Sequence, residues 1–147
     1  MSEFIPNPAP RPTSYLDEQF WQNCAEGKLG FQVCDECGTW RHMPRFMCAK
    51  CGSDQWNWHE SSGRGEVYTW TVCYMPMSSE FESIFPYAVL VVEMEEGVRI
   101  TAGLRELDYQ DLVIGLPVEV IFEPLENGMQ LPFFRPQPNN STTLLLT

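Results

Sequence analysis

At 147 residues the chain suits one compact domain, or a small module joined to a larger one with its own core. Hydrophobic residues at 44% and charged residues at 20% exclude a disordered polymer. No stretch approaches the roughly 18 apolar residues of a membrane-crossing helix, so a soluble cytoplasmic protein without a membrane partner is expected. The net charge of −11 is uneven: five basic and four acidic residues lie between Lys28 and Arg64, against four basic and sixteen acidic elsewhere. So acidic a body opposes sequence-independent binding to a nucleic-acid backbone, while the small basic segment can still hold one phosphorylated ligand. An aromatic content of 13% suggests rings at an interface as well as in the core.

Residues 1–15 read as an extended arm, with Pro6, Pro8, Pro10 and Pro12 on alternate positions. The first eleven residues carry no apolar run of the secretory kind, which points to a reducing compartment. Thr13 or Ser14 can cap a helix over Tyr15 to Lys28, ended by Gly27 or Gly30. Its stripe of Tyr15, Phe20, Trp21 and Cys24 either covers the core or docks on a partner.

Leu29 to Val33 then reads as a short strand entering two matched motifs, Cys34-Asp-Glu-Cys37-Gly38 and Cys48-Ala-Lys-Cys51-Gly52. Each Cys-x-x-Cys-Gly forms a tight knuckle, the glycine taking the positive φ that turns backbone N–H groups toward sulfur. Four thiolates converge on one metal, and the metal supplies folding free energy that so short a segment cannot obtain from apolar burial. Disulfides are the alternative pairing, and a reducing compartment disfavours them. Iron is the rival ion, because the same knuckles describe rubredoxin; zinc is preferred because nothing else suggests an electron carrier. His42 and His59 lie near enough in sequence to replace a cysteine, but four sulfurs already complete the site. Cys24 and Cys73 fall outside the pattern and read as small buried side chains.

Between the knuckles, Trp40 to Met47 mixes basic and aromatic groups. Such a loop can stack on a base and pair with phosphate, or pack its rings onto the ribbon. From Gly63 the period changes to two: Glu66 to Tyr74 sets Tyr68, Trp70, Val72 and Tyr74 against Val67, Thr69, Thr71 and Cys73. Met75 to Pro86 reads as a loop, Tyr87 to Met94 as a strand buried on both faces, and Val98 to Leu104 as its hairpin partner across Glu95-Glu96-Gly97. Leu107 to Leu112 is a link of about one helical turn. A fourth strand starts at Gly115 and turns at Asn127-Gly128 into a fifth, Leu131 to Phe134. Five such strands fit a Greek-key barrel of the OB type rather than a sandwich, which needs about seven. The expected fold is mainly β: arm and helix (1–30), rubredoxin-like zinc ribbon (31–62), OB-fold barrel (63–136) and flexible tail (137–147). Leu144-Leu145-Leu146 in that tail is either inert or a plug for a partner's groove.

This order, with Phe20-Trp21, Gly27-Lys28-Leu29, the four cysteines, Gly65-Glu66-Val67-Tyr68 and Phe134-Arg135-Pro136, resembles the zinc-ribbon/OB-fold family of acyl-CoA-associated proteins over roughly residues 16 to 136. The resemblance implies an accessory subunit of a thiolase or related acyl-CoA enzyme, a group that includes the thiolase of anaerobic toluene degradation. It implies a thiolase-like catalytic partner, structural zinc on Cys34, Cys37, Cys48 and Cys51, and a coenzyme A thioester near the shared surface. Arg41 and Arg45 are the candidates for coenzyme A phosphates, on the chemistry of the guanidinium. Arg135 either pairs with a partner's acid or fixes the barrel end. The residues themselves agree in one respect: Cys24 and Cys73 have no sequence-local histidine to activate them, and a four-sulfur metal has no open position for water. The other class considered is a nucleic-acid-binding OB fold, with Tyr68, Trp70 and Tyr74 as the stacking platform.

Overall fold

The computed structural model describes residues 9–77, 79–125 and 127–138. The readings of the first half of the arm and of the leucine tail lie outside these residues.

Ser14 is extended (φ −147, ψ 166) and its hydroxyl accepts from the Asp17 N–H, which starts helix α1 (Tyr15–Ala25). Gly27 at φ 75 carries the chain out of the helix. The buried stripe is Leu16, Phe20 and Cys24, one residue every four, whereas Tyr15 stays 54% exposed. The expected stripe is therefore rotated by one position, and Leu16 rather than Tyr15 faces the core.

A three-stranded antiparallel sheet follows, with β1 (Gly30–Cys34) between β2 (Trp40–Arg41) and β3 (Trp56–Glu60). After Leu29 to Val33 the strand reading of the sequence resumes only at Gly63 and so omits β2, only two residues long, and β3, whose Trp56 and Trp58 alternate with Asn57 and His59. β2 forms because the knuckle that follows β1 turns the chain back beside Val33, and β3 forms because the chain leaving the second knuckle brings Trp56 opposite Cys34, at the same end of β1.

Five further strands close a barrel in the order β4 (Arg64–Cys73), β5 (Tyr87–Met94), β6 (Arg99–Leu104), β8 (Gln130–Pro136), β7 (Pro117–Pro124). The OB-type barrel read from the sequence is thus present, closed by a short parallel pairing of Gly103 with Phe133 and Leu104 with Phe134. Two details differ from the sequence reading. In β4 the register shifts between Val67 and Thr69, so a bulge at Tyr68 changes the phase: Val67 is buried before it, and Trp70 and Val72 turn inward after it. In β5 only Ala88, Leu90, Val92 and Met94 are fully buried, so the strand covers the barrel interior on one face and is partly wet on the other. The loop before β5 holds a 3₁₀ segment, Ser79–Ile84, and the link before β7 a 3₁₀ turn, Tyr109–Asp111.

One hydrophobic cluster runs through the molecule. Phe20 and Cys24 of α1, with Leu29 and Phe31 of the ribbon, join Val67, Leu90, Val92, Val118 and Phe134 of the barrel. Helix and barrel are also tied at their far ends, where the Gln130 side chain donates to the Ala25 carbonyl at 2.9 Å. The ribbon is thereby fixed at its base, and its knuckle end projects beyond the cluster.

Candidate metal centre and ribbon loop

The two knuckles are built alike. Gly38 (φ 71) and Gly52 (φ 77) occupy the left-handed region, and their N–H groups donate back to the Cys34 and Cys48 carbonyls at 2.9 and 2.8 Å. The Cys34 N–H donates to the Thr39 carbonyl and the Cys48 N–H to that of Ser53. This closes two tight loops whose sulfurs face one another.

All four Sγ atoms lie within 4.8 Å of each other. Cys34 and Cys51 sulfurs are 3.5 Å apart, Cys37 and Cys48 sulfurs 3.6 Å. A disulfide needs about 2.05 Å, whereas four sulfurs at about 2.3 Å from one zinc stand roughly 3.8 Å apart. The set fits a tetrathiolate structural zinc, with Cys34 and Cys48 buried and Cys37 and Cys51 at the surface.

The thiols are not equivalent. The Thr39 hydroxyl and backbone N–H bring Cys37 down to about 6, and the N–H groups of Cys51 and Lys50 hold Cys48 below the usual thiol range. Ser53 N–H pulls Cys51 the same way, but the neighbouring thiols outweigh it and leave Cys51 at about 12. Cys37 and Cys48 are poised to ionise while Cys51 resists, a conflict that a divalent cation resolves. His42 and His59 are not ligands in this arrangement: His42 packs on Phe20 and Phe31 with ring centroids at 5.0 and 5.3 Å, and His59 packs on Trp40 at 5.7 Å.

Sequence reasoning missed Gln32, a fully buried amide at the centre of β1. Its Oε1 accepts from the Arg45 N–H at 2.7 Å and from Arg41 Nε at 3.0 Å, while its Nε2 donates to the Arg45 carbonyl at 3.0 Å. Arg41 Nη2 donates to that carbonyl at 2.8 Å. The signal available was one polar residue inside the apolar run Phe31-Gln32-Val33. These bonds fix the loop between the knuckles, whose side chains divide by direction. Trp40 and His42 pack inward; Met43 (62% exposed), Phe46 (54%) and Met47 (58%) point outward, with Tyr15 of α1 edge-on to Phe46 at 5.6 Å.

The two candidate phosphate-binding arginines also divide. Arg45 is exposed, whereas Arg41 is buried beneath the loop with two donor positions engaged. Arg135 pairs with Glu119 at 2.9 Å and Glu106 at 3.4 Å, so it fixes the barrel end. Cys24 is sealed in the core and burial pushes its thiol up to about 12, the reverse of an activated nucleophile. Tyr68, Trp70 and Tyr74 do not form one open platform: the bulge puts Tyr68 out of phase, and the Arg99 guanidinium covers its ring at 3.7 Å.

A four-sulfur ribbon docked on a closed five-stranded barrel defines a metal-stabilised scaffold that presents a rigid loop. Residues 21–57 match the model for the ChsH2 rubredoxin-like zinc ribbon domain and residues 58–123 that for the ChsH2 C-terminal OB-fold domain; the chain belongs to this ChsH2-type, DUF35 family. Similar proteins include a probable enoyl-CoA hydratase alpha subunit of Thermomonospora curvata, 37% identical over 128 residues. A DUF35 domain-containing scaffold protein of Methanocaldococcus jannaschii is 34% identical over 94 residues. The matches cover 86% and 63% of this chain but only 40% and 66% of those relatives' lengths. Among solved structures, a chain of an Ltp2-ChsH2(DUF35) aldolase superposes with a TM-score of 0.77 at 33% identity, covering 86% of this chain and 98% of that one.

Proposed function

We propose that this chain is a non-catalytic accessory subunit that docks on an acyl-CoA enzyme and orders its coenzyme A or substrate site. The observation that carries the reading is the ribbon loop: Met43, Phe46 and Met47 stand exposed on a segment pinned from beneath by Gln32. Exposed apolar side chains on a rigid support are what an interface needs, because little ordering entropy is lost on docking. The names of the relatives support the class, being an acyl-CoA hydratase subunit, a scaffold protein and a component of an aldolase complex.

Within that class we assign a thiolase-like catalytic partner in aromatic acyl-CoA degradation of the benzylsuccinate type, as in the anaerobic toluene pathway. Residues 31–62 hold the zinc and carry the docking loop, residues 63–136 form the barrel behind it, and residues 1–30 supply the helix that braces it. Arg45 is free to meet a coenzyme A phosphate at the shared surface, and Arg41 serves that contact from below by holding the Arg45 carbonyl.

Co-expression with a thiolase-like subunit tests the reading. A stable hetero-oligomer that cleaves a phenyl-substituted oxo-succinyl-CoA faster than the catalytic subunit alone is expected, and a catalytic subunit fully active without this chain refutes it. Changing Phe46 or Met47 to Glu should abolish the complex while leaving the fold intact, since both side chains already face water.

A further inference from the structure

A guanidinium inside a protein normally has a carboxylate beside it, because an unpaired buried charge is costly. Arg41 is only 8% exposed, yet among the described residues no carboxylate oxygen lies within the 4.0 Å of an ion pair. The four acidic residues of its own module, Asp35, Glu36, Asp54 and Glu60, are all exposed, and Asp35 accepts from the Asn57 amide instead. Its acceptors are two neutral oxygens, Gln32 Oε1 and the Arg45 carbonyl, and its Nη1 is buried with no hydrogen-bond partner. Dipoles ease the charge without cancelling it.

The register of the ribbon sheet places Arg41 on a face with one of the four metal-site cysteines. Gln32 and Cys34 alternate along β1 and so share a face; Gln32 is opposite Arg41 and Cys34 opposite Trp56. Arg41 accordingly lies on the face that carries the Cys34 thiolate, with its guanidinium 5.9 Å from the Trp56 ring centroid. A divalent ion bound by four thiolates retains a net charge of about −2, and second-shell groups that balance such a charge tune metal affinity.

We propose that Arg41 is the internal countercharge of the four-sulfur centre, so that metal loading and the seating of the loop between the knuckles are coupled through one buried guanidinium. Loading gives Arg41 the negative charge that justifies its burial, and buried Arg41 holds the Arg45 carbonyl, hence the loop. This rests on the zinc reading of the cysteines.

Zinc content and chelator competition on the full chain test it. Wild type should carry one zinc per chain; a metal-free wild type refutes the zinc reading itself, and the inference falls with it. Given zinc in the wild type, Arg41→Met should lose roughly 10- to 100-fold in zinc affinity, and Arg41→Lys, which keeps the charge but not the fork, should stay within about threefold. Arg99→Met, on the barrel, should change nothing. Gln32→Glu supplies Arg41 with its own carboxylate and should weaken zinc by about tenfold while raising the thermal stability of the metal-free chain. Equal affinity in wild type and Arg41→Met, or a Lys variant as weak as Met, overturns the countercharge role. If Arg41→Met does not fold, Gln32→Glu decides alone, and unchanged zinc affinity in that variant overturns it.

Discussion

The Gln32 side chain treats Arg45 as a strand would, accepting from its N–H at 2.7 Å and donating to its carbonyl at 3.0 Å, thirteen residues along the chain. One amide thereby replaces a ladder step and holds the crown of the loop to the middle of β1. Gln32→Met keeps the volume and removes both functions, leaving the Arg45 N–H and Arg41 Nε without partners. A loss of about 2–4 kcal/mol is expected from orphaned buried donors, read as the urea midpoint. Trypsin should also cut after Arg45 several-fold faster. An unchanged midpoint and unchanged cleavage would show that the loop is held elsewhere.

The ribbon shares its base with the barrel but not its tip. Phe31 belongs to the continuous core, whereas the four metal-site cysteines do not. Chelation, or Cys37→Ser, should therefore melt the knuckles and expose residues 34–57 to protease, while the barrel keeps a cooperative unfolding transition. Collapse of the whole chain on chelation would mean that the centre supports both modules. A colourless protein with one zinc is expected throughout, in contrast to the red of a ferric tetrathiolate.

The four-cysteine cluster, the five barrel strands and most turns are legible from residue spacing, because each is a local pattern: paired Cys-x-x-Cys-Gly, period-two apolar runs, Gly97 and Gly128 at turns. The bulge at Tyr68 is not, since one extra residue leaves no compositional mark and is defined only by the partner strand β5. Nor is β2, two residues that become a strand only because the knuckle after β1 lays them beside Val33 and Gln32. The separation of Arg41 from Arg45, one inside and one outside, depends on Gln32 thirteen residues from Arg45, a distance over which no periodicity speaks.

His42 gives the fold a pH response. Burial against Phe20 and Phe31 lowers its pKa to about 4 from the ordinary 6.5. Between these values the unfolded chain binds a proton that the folded chain refuses, so stability falls as the pH drops from 6.5 to 4 and this contribution then levels off. The full effect is about 3 kcal/mol. Acid also releases zinc, so the comparison is with His42→Phe, whose stability should decline less steeply over that window. Parallel slopes for the two proteins would remove His42 as a cause.

Gly65 lies where β4 passes closest to β5: a Cβ there would fall 2.5 Å from the Glu93 carbonyl oxygen and 2.8 Å from Val92 Cγ1. The neighbour is backbone and cannot swing aside. Gly65→Ala should destabilise the barrel by about 2–3 kcal/mol or more, seen in thermal unfolding. Gly27, whose added Cβ would meet nothing within 4 Å, offers the contrast: the cost of Gly27→Ala comes from its positive φ alone, about 1 kcal/mol. Equal losses at the two sites would show that strand separation absorbs the methyl group.

The bond from Gln130 to the Ala25 carbonyl spans 105 residues. On the ribosome, where synthesis adds about 5–20 residues per second, α1 therefore waits roughly 5–20 s for the strand on which it rests. During that interval Leu16, Phe20 and Cys24 have no barrel to cover, and a chaperone has its opportunity before the last strand arrives.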